Sequence, residues 1–351
     1  MTEAIKERVG KLLSTGLRNY WYPVLPSWRL QNAPLGITRL GENLVLWRDK
    51  DAKLHAIEDR CPHRGARLSL GWNLGDRVAC WYHGIEVNGS GTVTNVPAVK
   101  ACPLEGQQCL KHYPVQEQRG GIFVWFGDAL HQEAPPLALP EQLGSDEWAS
   151  MLCTAMWECN YQYAVDNVMD PMHGAYLHAR SHSMAMGDKQ AEMRVKKTSN
   201  GIMFEKIGQR EVNFDWVELA DTGSMWMRLS IPYQKKHGPG GSFYIIGYAT
   251  PIDADHVQVF FWRCRKVTGW QRDTWRFLYR NRLEGLHWDV LEQDHVVLEN
   301  LAPDARNQEF LYQHDTGMAR TRRMLEQKAE AQLAALDAAA GSAASGAAAT
   351  A

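Results

Sequence analysis

The sequence predicts an α+β chain: an N-terminal all-β domain, followed by a domain of antiparallel strands and long helices. Three observations lead there. Short apolar runs separated by turn dipeptides occupy the first third of the chain, strand-like text returns between about 193 and 265, and helical text follows. The proline-rich stretch from Ala134 to Pro140 separates the halves. The expected organisation is therefore residues 1–135, residues 136–337, and a tail over 338–351 whose Ala/Gly/Ser composition predicts disorder.

In the first domain the strands include Leu44-Val45-Leu46-Trp47, Lys53-Leu54-His55-Ala56-Ile57 and Gly121-Ile122-Phe123-Val124-Trp125-Phe126. Asn88-Gly89 and Arg119-Gly120 supply hairpin turn chemistry between such runs. In the second domain Tyr161 to His178 reads as a helix, and Ser224 to Ile231 and Val257 to Trp262 read as strands. Gln271 to Leu301 reads as a long helix, and another runs from about Met318 to Ala339.

Composition excludes several classes. The 351 residues are 45% hydrophobic and 22% charged with a net charge of −2, ordinary values for a globular protein. No block dense in Lys and Arg invites nucleic acid. No stretch approaches the eighteen or so apolar residues of a membrane span, and the first residues lack a secretory core, so a cytoplasmic location without membrane partners is expected. Of seven cysteines, Cys102, Cys109, Cys153, Cys159 and Cys264 are scattered and read as buried or half-buried free thiols.

The other two belong to a motif. Cys61-Pro62-His63 and Cys80-Trp81-Tyr82-His83-Gly84 form the pattern C-x-H-x16-C-x2-H. Zinc sites also use two cysteines and two histidines, but they usually group like ligands together. The alternating order suits a two-iron cluster clamped by two equivalent loops, each giving its Cys to one iron and its His to the other. That is the Rieske [2Fe–2S] arrangement.

A second constellation lies in Asn167-Val168-Met169-Asp170-Pro171-Met172-His173-Gly174-Ala175-Tyr176-Leu177-His178, with carboxylates far downstream at Glu292, Asp294 and Glu299. Two histidines and one carboxylate make the facial triad of non-haem Fe(II) oxygenases. On a regular helix, residues five apart diverge by roughly 140°, so His173 and His178 would need a local π-type widening, eased by Pro171 and Gly174. Asp170, three residues before His173, is placed to accept a hydrogen bond from that ring's free nitrogen.

With both motifs in hand, the chain resembles the Rieske non-haem iron oxygenases, and more narrowly the oxygenase components of the phthalate dioxygenase and vanillate demethylase branch. The resemblance extends from the Asn19-Tyr20-Trp21-Tyr22-Pro23 segment to about Asn300. It implies a helix-grip, START-like second domain. It also implies that Cys61 and Cys80 bind one cluster iron, His63 and His83 the other, and His173, His178 and Asp294 a mononuclear Fe(II). Asp294 is preferred over Glu292 and Glu299 because Asp294-x4-Glu299 matches the family register. The family often has Glu-Asp at this point, and here Gln293 precedes Asp294. Asp170 would be the acid bridging to a cluster histidine of a neighbouring subunit, and Asn167 would lie near the iron.

The implied function is that of a terminal oxygenase component, hydroxylating an aromatic substrate of polar or carboxylated type with O2. Electrons would come from NAD(P)H through a separate reductase, with flavin and iron–sulfur centres, or a ferredoxin, since no GxGxxG follows a strand here. The family's head-to-tail rings imply a homotrimer. Oxidative O- or N-demethylation is the alternative, and a Rieske electron carrier with a non-catalytic ligand-binding domain a more distant one.

For substrate contact, candidate apolar residues are Met184, Met186, Met203, Phe204, Trp216, Met225, Trp226, Phe243 and Tyr244. Arg180 and Arg228 are candidate carboxylate anchors, and His182 could contact substrate or cap its segment. His287, His295 and His314 read as surface histidines.

Overall fold

A computed structural model describes residues 2–181, 187–232 and 242–348, with side chains described as far as Gly341. The chain divides into two compact units. The smaller is Asn19–Leu137 with Thr250–Asp253, and the larger is Met1–Arg18, Ala138–Ala249 and Ala254–Ala351. The break after Leu137 falls inside the proline-rich stretch. Residues 1–18, expected with the first domain, belong instead to the larger unit. The reason is helix α1 (Glu3–Thr15), which buries Val9 and Leu13 on one face. Its Arg8 holds Asp337 in the C-terminal helix through two nitrogens at 2.8 and 2.9 Å.

The smaller unit is all β. Its first strands are β1 (Tyr20–Pro26), β2 (Leu35–Arg39), β3 (Glu42–Arg48) and β4 (Leu54–Glu58). Short strands β5 (Trp72–Asn73), β6 (Arg77–Ala79), β7 (Glu86–Asn88) and β8 (Val93–Asn95) follow. The last are β9 (Val115–Gln118) and β10 (Gly121–Phe126). Three antiparallel sheets result, ordered β1-β10-β9, β2-β3-β4 and β5-β6-β7-β8. Val45, Trp47, Ile57, Val78, Val87 and Val93 form a core that also holds Cys61 and Cys80.

The larger unit opens with α2 (Glu141–Gly144), β11 (Trp148–Trp157), α3 (Tyr161–Val168) and α4 (Gly174–Leu177). Strands β12 (Met193–Lys197), β13 (Gly201–Lys206), β14 (Trp216–Asp221), β15 (Met225–Ile231), β16 (Phe243–Pro251) and β17 (Val257–Lys266) come next. Helices α5 (Gly269–Leu278), α6 (Glu284–Glu299), α7 (Ala305–Gln308) and α8 (Thr316–Ala348) complete it. The seven strands make one sheet, ordered β11-β17-β16-β15-β14-β13-β12. Val165, Met169, Leu229, Phe261, Leu291 and Leu298 pack α3 and α6 against it.

Several expectations need correction. The segment Tyr161 to His178 is not one widened helix: α3 stops at Val168 and helix resumes at Gly174. Pro171 explains the break, because a proline disfavours helical geometry at the residue before it and brings no N–H of its own. The π-type turn occurs elsewhere, at Tyr279–Leu283, joining α5 to α6. Finally, α8 continues to Ala348, through much of the segment expected to be disordered. Alanine's high helix propensity gives the physical reason. Cys102 and Cys109 are free, and Cys109 is exposed rather than buried.

Candidate metal centres

In the smaller unit the two Cys–His loops have the same backbone. Cys61 N donates to Ala66 O and Gly65 N donates back to Cys61 O, while Cys80 N donates to Ile85 O and Gly84 N to Cys80 O. Each loop closes through a left-handed glycine four residues after its cysteine, Gly65 at φ 76° and Gly84 at φ 72°. Both cysteines are buried, and both histidines are exposed. The His63 and His83 rings come together, with centroids 4.8 Å apart. Burial pushes the Cys61 thiol up to about 11, and the neighbouring Cys80 adds to the effect. Two buried sulfurs behind two converging exposed imidazoles fit a cluster with its sulfur-ligated iron inward and its histidine-ligated iron outward.

In the larger unit the break at Pro171 turns His173 and His178 towards α6. One donor atom from each of His173, His178 and Asp294 lies within 4.8 Å of the others. Asp294 Oδ1 is 3.5 Å from His173 Nε2 and 3.3 Å from His178 Nε2. The second contact is close but out of line for a hydrogen bond, so His178 Nε2 is buried with no hydrogen-bond partner. Burial works against a proton on His178, yet Asp294 and Gln293 outweigh it and raise the ring's proton affinity. An orphaned imidazole nitrogen beside a carboxylate, in a place that favours positive charge, fits a bound cation.

The surrounding groups fix this geometry. His178 Nδ1 lies 2.9 Å from Gln293 Oε1, which selects the tautomer whose Nε2 is free to bind a metal. Asn167 Nδ2 donates to Asp294 Oδ1 at 3.2 Å. His173 Nδ1 is held at 2.5 Å by the backbone carbonyl of Asp170, not by its carboxylate as expected. That carboxylate accepts from Met172 N at 2.7 Å and stands 4.0 Å from His173 Nδ1. The aspartate is occupied in closing the turn at Pro171, an Asx-type hydrogen bond two residues on.

Glu292 and Glu299 lie outside the triad. Both pair with His295, at 3.1 and 2.6 Å, and that ring stacks on Trp157. Asp294 is brought to the site by the spacing His287, Leu291, Asp294, Leu298, the buried stripe of α6. His287 is therefore buried rather than exposed, a correction its register with Asp294 would have signalled.

A cavity adjoins the triad. Its walls are apolar, chiefly Phe214, Leu229, Ile245, Phe261, Val290 and Leu291, with Asn167, Arg263 and His287 as polar members beside the triad itself. None of the described aromatic or methionine candidates chosen from sequence lines it; Met184, Met186 and His182 lie outside the described residues. Strand alternation explains Arg228. Leu229 faces the cavity, so Arg228 is turned to the opposite face, where Glu218 holds it at 2.5 Å. Arg180 is exposed.

The Rieske [2Fe-2S] domain profile matches residues 20–114, and the vanillate O-demethylase oxygenase C-terminal domain matches residues 157–331. The chain belongs to the Rieske non-haem iron oxygenases. A [2Fe-2S] cluster and a mononuclear iron are characteristic of this family.

The chain is 34% identical over 164 residues to a vanillate O-demethylase oxygenase subunit of Pseudomonas sp. (strain HR199 / DSM 7063), covering 47% of this chain and 46% of that one. It is 33% identical over 171 residues to the toluene-4-sulfonate monooxygenase system iron-sulfur subunit TsaM1 of Comamonas testosteroni, covering 46% of each. These alignments span less than half the length of either relative. Among solved structures, a fluorene-bound oxygenase and ferredoxin complex of carbazole 1,9a-dioxygenase superposes with a TM-score of 0.76 at 22% identity, over 95% of this chain and 98% of that one. That likeness shows the shared fold. Among the described residues, no helix is long and apolar enough to cross a membrane.

Proposed function

We propose that this chain is the terminal oxygenase component of a Rieske system that hydroxylates a small aromatic substrate. O2 is the co-substrate, and a separate reductase or ferredoxin delivers the electrons of NAD(P)H. The observation that carries this reading is the convergence of His173, His178 and Asp294 within 4.8 Å at the wall of an apolar cavity. Two imidazoles and one carboxylate occupy only part of an iron's coordination sphere and leave room for dioxygen beside a bound ring.

In this reading Cys61 and Cys80 hold one cluster iron, His63 and His83 the other, and His173, His178 and Asp294 the mononuclear iron. When bound, the cluster supplies electrons and the mononuclear iron activates O2. The chain's own residues supply the rest. The exposed His63 and His83 give electrons a short way in and out of the cluster. Gln293 and Asn167 orient His178 and Asp294, so the triad is set before substrate arrives. Phe214, Leu229, Ile245 and Phe261 hold the ring and exclude water. Asp170, partly exposed beside His173, receives a cluster histidine from a neighbouring chain, in a closed ring of three copies. The intracellular aqueous phase is the setting proposed for this chemistry.

A second reading is oxidative demethylation, favoured by the match of residues 157–331 to the vanillate O-demethylase oxygenase C-terminal domain. Hydroxylation of a methoxy carbon gives a hemiacetal that releases formaldehyde, whereas ring hydroxylation does not. A panel of aromatic acids and methoxylated aromatics, run with a surrogate reductase, NADH and labelled O2, separates the two. Label in a ring hydroxyl supports the first reading, formaldehyde the second, and no oxygen uptake above the reductase background contradicts both.

A further inference from the structure

The cavity wall contains a cation with no counter-ion among the described residues. Arg263 lies on β17, two residues after Phe261, so both side chains leave the same face of the sheet. Arg263 is 4% exposed. Its Nε and Nη1 have no hydrogen-bond partner, and Nη2 makes one long contact of 3.4 Å to the backbone carbonyl of His287. Among the described residues no carboxylate lies within ion-pair distance of it. The other buried arginines are provided for. Arg39 donates to the carbonyls of Val24 and Thr38, and Arg265 lies over the Trp275 ring at 5.2 Å.

A guanidinium taken out of water and left unpaired is costly, and folded proteins almost always pair or hydrate it. Arg263 opens onto the same cavity as the triad, and its neighbour there cannot act as its counter-ion. His287 stacks on Phe243 at 4.9 Å, and its Nδ1 is also without a partner. Two adjacent polar groups with unused hydrogen-bonding capacity therefore sit in a largely apolar wall.

We propose that Arg263 is the substrate anchor: its fork binds the carboxylate of an aromatic acid, with the ring against Phe214, Leu229, Ile245 and Phe261 and its reacting edge towards His173, His178 and Asp294. A guanidinium presents two parallel donors that match a carboxylate and fix the ring's direction as well as its position. The catalytic half of this statement rests on the oxygenase reading above, whereas the binding half does not.

The test uses the iron-loaded protein with benzoate and benzamide, probes of one shape and different charge. Benzoate should raise the melting temperature of the wild type and leave Arg263→Met unmoved, and benzamide should move neither by as much. Without ligand, Arg263→Met should melt no lower than the wild type, because the variant removes an unpaired buried charge. In turnover of an accepted aromatic acid, Arg263→Lys and Arg263→Met should raise KM by about 10- to 100-fold, least in Lys, with kcat changed far less. Equal preference of the wild type for acid and amide, or an Arg263→Met variant that still binds benzoate, overturns the proposal. An unliganded Arg263→Met that melts well below the wild type makes the arginine structural and also overturns it. Benzoate binding that depends on Arg263 in a protein without oxygenase activity upholds the anchor and removes only the function proposed above.

Discussion

Gln293 Oε1 lies 2.9 Å from His178 Nδ1, and through that contact the residue before Asp294 sets the face that His178 presents to the triad. The amide fixes which ring nitrogen carries hydrogen, while the next residue along α6 supplies the carboxylate. In the sequence Gln293 is visible only as a departure from the family's acidic pattern. Glutamine accepts the same hydrogen bond without adding a second negative charge beside Asp294.

Replacing Gln293 with Leu should release the ring and weaken iron binding by about 10- to 100-fold, the usual cost of losing a group that orients a metal ligand. Gln293→Glu, which keeps the acceptor, should retain iron. Iron retained per chain after dialysis against a graded chelator measures this. Equal retention by Gln293→Leu and wild type would show that the contact does not position His178.

Gly84 closes the second cluster loop at φ 72°, and a Cβ there would come within 3.0 Å of Pro97 Cγ. Gly84→Ala should cost about 1–2 kcal/mol in left-handed strain alone and disturb the loop that carries Cys80 and His83. Visible absorbance of the purified protein should fall relative to its protein content. Full cluster absorbance in the variant would mean that the loop tolerates the side chain.

Asp166 joins three elements of the larger unit. Its carboxylate takes Arg322 at 2.8 Å and Arg306 at 2.5 Å, and Arg322 also pairs with Glu309. Burial holds the Asp166 carboxyl above its ordinary value, opposed by the two arginines. Asp166→Ala takes the shared carboxylate from both arginines, leaving Arg322 with Glu309 and Arg306 with no carboxylate among the described residues, and should destabilise the fold by about 3–5 kcal/mol. The readout is the urea midpoint. A loss under about 1 kcal/mol, the range of a surface pair, contradicts this view of the network.

Acid should weaken the fold partly through His287. Burial, with the charge of Arg263, pushes this imidazole down to about 3, against about 6.5 in the unfolded chain. Between those values the unfolded chain binds the extra proton. Stability is therefore retained above pH ~6.5 and is lost as the pH falls towards 3, by up to several kcal/mol. His287→Gln should flatten this part of the curve, as followed by denaturant unfolding between about pH 7 and 5. Parallel curves for variant and wild type would show that His287 is protonated in the folded state.

Much of the architecture was legible because it depends on local pattern. Period-two runs and turn dipeptides located the β-rich first unit, and the paired Cys–His loops exposed its special chemistry. The α6 stripe of His287, Leu291, Asp294 and Leu298 carries the same kind of signal at helical spacing, but the reading of His287 as a surface histidine overlooked it. What escaped depended on contacts distant in sequence. Arg228 and Arg263 look alike as text, and only sheet register sends one to Glu218 and the other to the cavity. The aromatic candidates failed for the same reason, since side-chain type says nothing of which face a strand presents. The break at Pro171 was readable from the proline itself, but the demand that His173 and His178 converge favoured a widened helix over a broken one. Met1–Arg18 joined the larger unit because α1 found α8 more than three hundred residues away.

Iron counted per chain in His173→Ala and Asp294→Ala, beside the cluster's visible spectrum, tests the central claim most directly. The wild type should carry about three irons, two of them in the cluster. Each variant should fall to about two, keep the cluster absorbance and lose substrate-dependent oxygen uptake. Variants that keep the third iron, or that still couple oxygen uptake to product, would contradict the assignment of His173, His178 and Asp294 as the mononuclear iron site.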